Sequence, residues 1–181
     1  MTARPGRLSG RLALVTGASR GLGAAIAGAF AAEGADLVLL ARTVGGLEET
    51  DDAVRRAGGH ATLVPLDLAD SDALDRLGAA LYARHGKLDI LVGAAAMLGT
   101  LSPVAHADPK DWERVMAVNL TANFRLLRSM DPLLRASDAG RVIFVTDAVA
   151  AEARAYWSAY AVGKAALEAM ARTYAHENAA G

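Results

Sequence analysis

Apolar residues recur along the chain in two alternating rhythms. The runs at residues 12–16, 36–41, 61–66, 88–92 and 141–146 are short and almost continuously apolar. Runs of that length without strict alternation predict strands buried on both faces. Between them the apolar spacing widens to three and four. Residues 21–33 place Leu22, Ala25, Ile26, Ala29 and Phe30 on one helical stripe, and residues 43–57 do the same around Leu47 and Val54. A further helix opens at Asp70 or Ser71 and carries Leu74, Leu77 and Leu81 until Gly86 breaks it. Asp108, Pro109 and Asp111 mark a helix start, a cap followed by proline at the first helical position. That helix carries Trp112, Val115, Met116, Leu120, Phe124 and Leu127 at helical spacing, and a last one is predicted over residues 155–177.

Strands alternating with helices of this length demand crossover connections, which set the strands parallel and the helices on both faces. The predicted fold is α/β, a doubly wound parallel sheet of the Rossmann type with five strands flanked by helices. The 181 residues suit a single domain spanning 1–181, without linker or repeat. A composition 53% hydrophobic and 22% charged is that of a globular chain. The net charge of −1 supplies no footprint for nucleic acid or an anionic membrane. No apolar run approaches the roughly 20 residues that span a bilayer, and residues 1–11 are basic without an apolar leader, so a soluble cytoplasmic protein is expected. The absence of cysteine excludes disulfides, thiolate catalysis and cysteine zinc sites. His60, His85, His106 and His176 are scattered and read as surface or loop residues, so no metal site is expected.

Candidate chemistry begins at the first strand-to-helix turn, Thr16-Gly17-Ala18-Ser19-Arg20-Gly21-Leu22-Gly23. A glycine-rich turn that opens a helix presents free backbone N–H groups and the positive helix end to a pyrophosphate. The second strand ends Ala41-Arg42, with no acid at that end, and Asp36 lies at the other. A carboxylate there would take the ribose hydroxyls of NAD, whereas a guanidinium suits the extra phosphate of NADP. Arg42, with Arg20 in the turn, therefore points to NADP(H) over NAD(H); the alternative is two solvated surface arginines. Tyr160 and Lys164, four apart on the last helix, share one face. A neighbouring ammonium favours a phenolate, which would bring tyrosine into acid–base range.

These motifs, in this order, resemble the classical short-chain dehydrogenase/reductase family over about residues 10–178. The resemblance implies that Gly17, Ser19, Arg20, Gly21, Leu22 and Gly23 cradle the cofactor and that Asp67 and Leu68 lie at its adenine ring. It adds Ala94, after the fourth strand, to the cofactor wall. Asn119 in VMAVNLTANF falls on the family's catalytic asparagine, which shapes its helix and holds a water relayed to Lys164. Tyr160 and Lys164 fall on its Tyr-x-x-x-Lys, with Tyr160 as proton donor and Lys164 on the nicotinamide ribose. The implied activity is hydride transfer between NADP(H) and a small carbonyl or alcohol substrate. The implied assembly is a homodimer or homotetramer, paired through the helices beginning near Pro109 and Ala155. The last helix carries Ala165, Ala166, Leu167, Met170, Ala171 and Tyr174, a band wide enough for core on one flank and interface on the other, or for core throughout.

The chain departs from the family pattern in places. Asp147 occupies the slot of a substrate-orienting serine, 13 residues before the tyrosine. An ionised carboxylate cannot donate to an oxyanion, and it raises the pKa of a nearby phenol. The neighbouring hydroxyl of Thr146 is expected to point to the other face of the strand. Gly93-Ala94-Ala95-Ala96 replaces asparagines that would bond the central strands together, and Gly163 puts a glycine inside a helix at a cost of about 1 kcal/mol. With the sequence ending at Gly181, the family's last strands and substrate loop are expected to be absent, leaving the fifth strand as an edge. The alternative function is therefore a non-catalytic NADP-binding protein, or a degraded or fragmentary family member.

Overall fold

The computed structural model describes residues 6–152 and 154–179; residues 1–5, where much of the basic start lies, and the chain end at Gly181 fall outside them. Five strands, β1 (Leu12–Thr16), β2 (Asp36–Ala41), β3 (His60–Pro65), β4 (Ile90–Gly93) and β5 (Arg141–Phe144), form one parallel sheet in the order β3-β2-β1-β4-β5. The chain winds outward from β1 to β3, then crosses back to lay β4 on the free side of β1. That reversal opens a crevice at the carboxyl ends of β1 and β4.

Alternation along the strands splits the core in two. Leu12, Leu14, Val38, Leu40 and Leu91 pack under α3 (Ser71–His85) and α5 (Ala122–Arg135). Ala13, Val15, Leu37, Leu39 and Val92 face α1 (Gly21–Ala32) and α2 (Val44–Arg56) on the other side. Both faces of β1 are covered, which is why its sequence is apolar at every position before Thr16. Asp70 is the cap of α3, accepting from the Ala73 N–H at 2.9 Å. Asp108 caps α4 (Pro109–Met116) by accepting from Lys110 N–H at 2.9 Å.

Three expectations are corrected. The helix opened by Asp108 is not continuous, because a π-helical turn at Ala117–Thr121 separates α4 from α5. One extra residue in the turn rotates everything after it. Phe124, expected on the buried stripe, is therefore 50% exposed, while Asn119, Leu126 and Met130 are buried. The fifth strand stops at Phe144 because its only described neighbour, β4, ends at Gly93. The last helix, α6 (Ser158–Glu177), starts three residues late, since Tyr156 adopts a positive φ of 74° and Trp157 N–H closes a turn onto Arg154.

The segment after β4, where the asparagines are absent, is bonded to the end of β1. The buried hydroxyl of Thr16 accepts from the N–H groups of Ala94 at 3.1 Å and Ala95 at 3.2 Å. A Thr16→Val variant leaves both donors unpartnered and is expected to lose about 1–2 kcal/mol. Urea unfolding should show a lower midpoint at unchanged slope.

Candidate active site

The turn after β1 needs its glycines for three separate reasons. Gly17 has φ +67°, and a Cβ on it would sit 2.8 Å from Ala95 Cα. Gly21 has φ +56° and opens α1. A Cβ on Gly23 would lie 2.3 Å from the Gly17 carbonyl oxygen, so only glycine lets the helix fold back onto the turn. Arg20, at the cap position of α1, makes no side-chain cap, which leaves the first-turn N–H groups facing the crevice.

That crevice is a cleft of about 720 Å³, and it gathers from four strand ends the sequence-predicted cofactor residues other than Tyr160 and Lys164, which do not line it. Gly17, Ser19, Arg20, Gly21, Leu22 and Gly23 come from the turn after β1, Arg42 from β2, Asp67 and Leu68 from beyond β3, and Ala94 from β4. Leu68 is largely core, 8% exposed. Asp67 turns one carboxylate oxygen back onto the Ala69 N–H at 3.0 Å. Arg20 and Arg42 are exposed and, among the described residues, pair with no carboxylate. Asp36 lies at the opposite end of β2, beside Leu12. The cleft also uses Gly46, Met97 and Val118, which the sequence reading missed. Gly46 had a signal: glycine inside a helix marks a close approach, and a Cβ there would lie 2.8 Å from Ser19 Cβ.

Asn119 ties this cleft to α6. Its side chain, fully buried, accepts from Met97 N–H and donates to Met97 C=O, both at 2.8 Å, clamping the segment after β4. The π-helical turn aims it there, and Asn123 donates to its carbonyl at 2.9 Å. A Cβ on Gly163 would stand 3.3 Å from Asn119 Cβ, so the helix-interior glycine lets α6 close onto Asn119.

Tyr160 and Lys164 stand one turn apart on α6, with Lys164 only 1% exposed. Lys164 Nζ donates to Val145 C=O at 2.7 Å and lies 5.7 Å from the centre of the Tyr160 ring. Burial pushes the Lys164 pKa down, with the charge of Asp147 working the other way. The Tyr160 pKa is raised, first by burial, then by the charge of Asp147 and by donation to it at 3.4 Å. The expectation that Lys164 would lower it is corrected: its ammonium is engaged by the Val145 carbonyl, while burial first and the Asp147 carboxylate second both act to raise it. Thr146 offers no substitute donor, because its hydroxyl bonds Glu168 at 2.5 Å. Among the described residues no group of histidine and carboxylate side chains is arranged to hold a metal, and no helix is long and apolar enough to cross a membrane.

Comparison with known proteins places this geometry. The short chain dehydrogenase family matches residues 11–180. An uncharacterized oxidoreductase, YciK, of Escherichia coli is 34% identical over 173 residues, covering 94% of this chain and 69% of YciK. A fatty acyl-CoA reductase of Acinetobacter baylyi is 34% identical, with 94% of this chain and 58% of the reductase covered. A solved Shigella flexneri protein described as a short chain dehydrogenase, complexed with NADP, superposes with a TM-score of 0.88 at 33% identity, covering 96% of this chain and 74% of that one. The chain thus spans between 58% and 74% of the length of these proteins.

Proposed function

The chain belongs to the short chain dehydrogenase family, and from that premise we propose that it is an NADP(H)-dependent oxidoreductase transferring hydride between the nicotinamide and a small carbonyl or alcohol substrate. The observation that carries this reading is the cleft itself, whose glycine turn has no room for a Cβ at Gly17 or Gly23 and which is flanked by two guanidinium groups that, among the described residues, pair with no carboxylate. The dinucleotide fits that donor set. Gly17, Gly21 and Gly23 give the pyrophosphate room and backbone N–H donors, and Arg20 and Arg42 suit the extra phosphate of NADP. When bound, the cofactor supplies or accepts the hydride.

The chain's own residues do the rest. Tyr160 holds the transferable proton at Oη. Lys164, anchored on Val145 C=O, holds its Nζ 5.7 Å from the centre of that phenol's ring. Asn119 and Gly163 fix the distance between α6 and the segment through Met97. Asp147 opposes carbonyl chemistry, since it repels a developing oxyanion and holds the Tyr160 proton. That one observation also favours a second reading, an NADP-binding protein without turnover. A homodimer or homotetramer in the cytoplasm completes the proposal, supported by exposed Phe124 on α5 and Val162 on α6. Light scattering tests the assembly.

Titration with NADPH and NADH, followed by nicotinamide fluorescence, tests the cofactor. NADPH is expected to bind at least tenfold tighter, a difference of about 1.4 kcal/mol. Arg42→Ala should remove most of that preference while leaving NADH affinity unchanged. Equal binding of both by the unaltered chain would mean that Arg20 and Arg42 are simply solvated.

A further inference from the structure

A fixed carboxylate stands beside the proton-carrying hydroxyl of the site. Asp147 Oδ1 accepts from Val149 N–H at 3.1 Å, capping the short turn Ala148–Ala150, while its Oδ2 receives the Tyr160 hydroxyl at 3.4 Å. The adjoining neutral donor, Thr146, is turned away to Glu168. Lys164 Nζ faces the Val145 carbonyl. A substrate atom placed at Tyr160 Oη therefore meets an acceptor that is held in place and negatively charged.

Such surroundings suit one kind of electrophile and oppose another. The oxygen of a ketone turns from neutral to anionic as hydride arrives, which a carboxylate resists. The nitrogen of a protonated imine runs the other way, from cation to neutral amine. Before the transfer it carries an N–H that needs an acceptor and a charge that needs a counter-ion. A nearby carboxylate also keeps the imine protonated at a pH where the free imine would lose its proton, and only the protonated form is strongly electrophilic.

We infer that the preferred substrate of this site is a carbon–nitrogen double bond presented as an iminium cation, with Asp147 as its counter-ion and hydrogen-bond acceptor. The inference rests on the oxidoreductase reading above and replaces the carbonyl with its nitrogen counterpart. Hydride from the reduced nicotinamide dinucleotide forms a new C–H bond at the iminium carbon. The π electron pair of the C=N bond moves onto nitrogen and cancels its charge. The cofactor leaves oxidised by two electrons, and no further proton is needed.

The test compares the unaltered chain with Asp147→Asn, an isosteric change that removes the charge. The probes are dihydroisoquinoline, a cyclic imine, its ring-matched ketone tetralone, and tetrahydroisoquinolinium, a cation that cannot be reduced. With NADPH, the unaltered chain is expected to favour the imine over tetralone by about 10²-fold in kcat/KM, and Asp147→Asn to remove most of that ratio. Calorimetry, with and without NADP(H), should show the cation binding at least tenfold more weakly to Asp147→Asn. An imine-to-ketone ratio that does not change between the two proteins, or equal affinity for the cation, overturns the inference. NADPH that fails to bind while the cation still distinguishes the two proteins sinks the oxidoreductase reading instead and leaves the counter-ion role standing.

Discussion

Replacing Asp147 with serine is expected to raise the turnover of a simple ketone such as tetralone by about 10²–10³-fold, which is 2.7–4 kcal/mol of transition-state stabilisation. Two changes act together. The carboxylate that repels a developing oxyanion is gone, and a hydroxyl that donates takes its place. The Tyr160 proton, now directed at Asp147 Oδ2 at 3.4 Å, becomes available to the substrate. The raised pKa of Tyr160 should fall by the part due to Asp147, while the part due to burial, the larger cause, stays. Single-turnover oxidation of NADPH measures the gain directly, free of product release. The same gain should vanish when Tyr160→Phe is added, because the new hydroxyl positions the oxygen but the phenol supplies the proton. A gain that survives Tyr160→Phe would show that the serine, not the tyrosine, is the proton source. No gain at all, in a protein that still binds NADPH, would favour the reading without turnover.

Much of the fold was legible because strands covered on both faces announce themselves. β1 and β2 are apolar almost throughout, and their observed bounds match the predicted ones. The glycine turn was legible for a related reason, since only a turn that backbone and ligand must approach closely needs Gly17, Gly21 and Gly23 at those positions. The π-helical turn was not legible. Nothing in the apolar spacing from Trp112 to Leu127 signals one inserted residue, and so Phe124 was assigned to the wrong face. Asn119 was placed by resemblance alone, and its two bonds to Met97 depend on that same turn. The direction of Lys164 was hidden too. Helical spacing puts it beside Tyr160, but the Val145 carbonyl that engages it becomes free only because β5 ends at Phe144. Thr16 shows the converse case, in which a polar residue at the end of an apolar strand bonds the Ala94 and Ala95 N–H groups although the sequence around Ala94 carries no polar side chain to do so.

The largest effect on stability is expected at the opposite end of the sheet, at Asp89. Its side chain is 1% exposed and collects Ser137 Oγ at 2.6 Å, Leu12 N–H at 2.9 Å, Arg11 at 2.9 Å and Lys87 at 3.1 Å. Through Arg11 the network extends to Asp138. Burial alone would raise the carboxyl pKa, but the four donors outweigh it and hold the group at about 2. The folded pKa thus lies below the unfolded value of 3.8, so the stabilisation is complete above about pH 4 and is lost as pH falls toward 2. Its size is about 2 kcal/mol, because each tenfold change in proton affinity between the folded and unfolded chain is worth roughly 1.4 kcal/mol. Asp89→Ala should cost more, about 3 kcal/mol, because Leu12 N–H loses its acceptor while Arg11 and Lys87 lose a buried counter-charge. The cost is no larger because both cations reach water, with side chains 28% and 40% exposed. Urea unfolding between pH 2 and 7 separates the two contributions. The variant should be weaker at neutral pH and lose less stability than the unaltered chain on acidification, retaining the part due to Asp131, whose pKa is also lowered because bonds from Tyr174 and Arg135 outweigh its burial. NADPH affinity measured in parallel should be unchanged, since the cleft lies at the carboxyl ends of the strands and Asp89 just before the start of β4. A variant that loses less than about 1 kcal/mol would mean that water replaces the network at no cost.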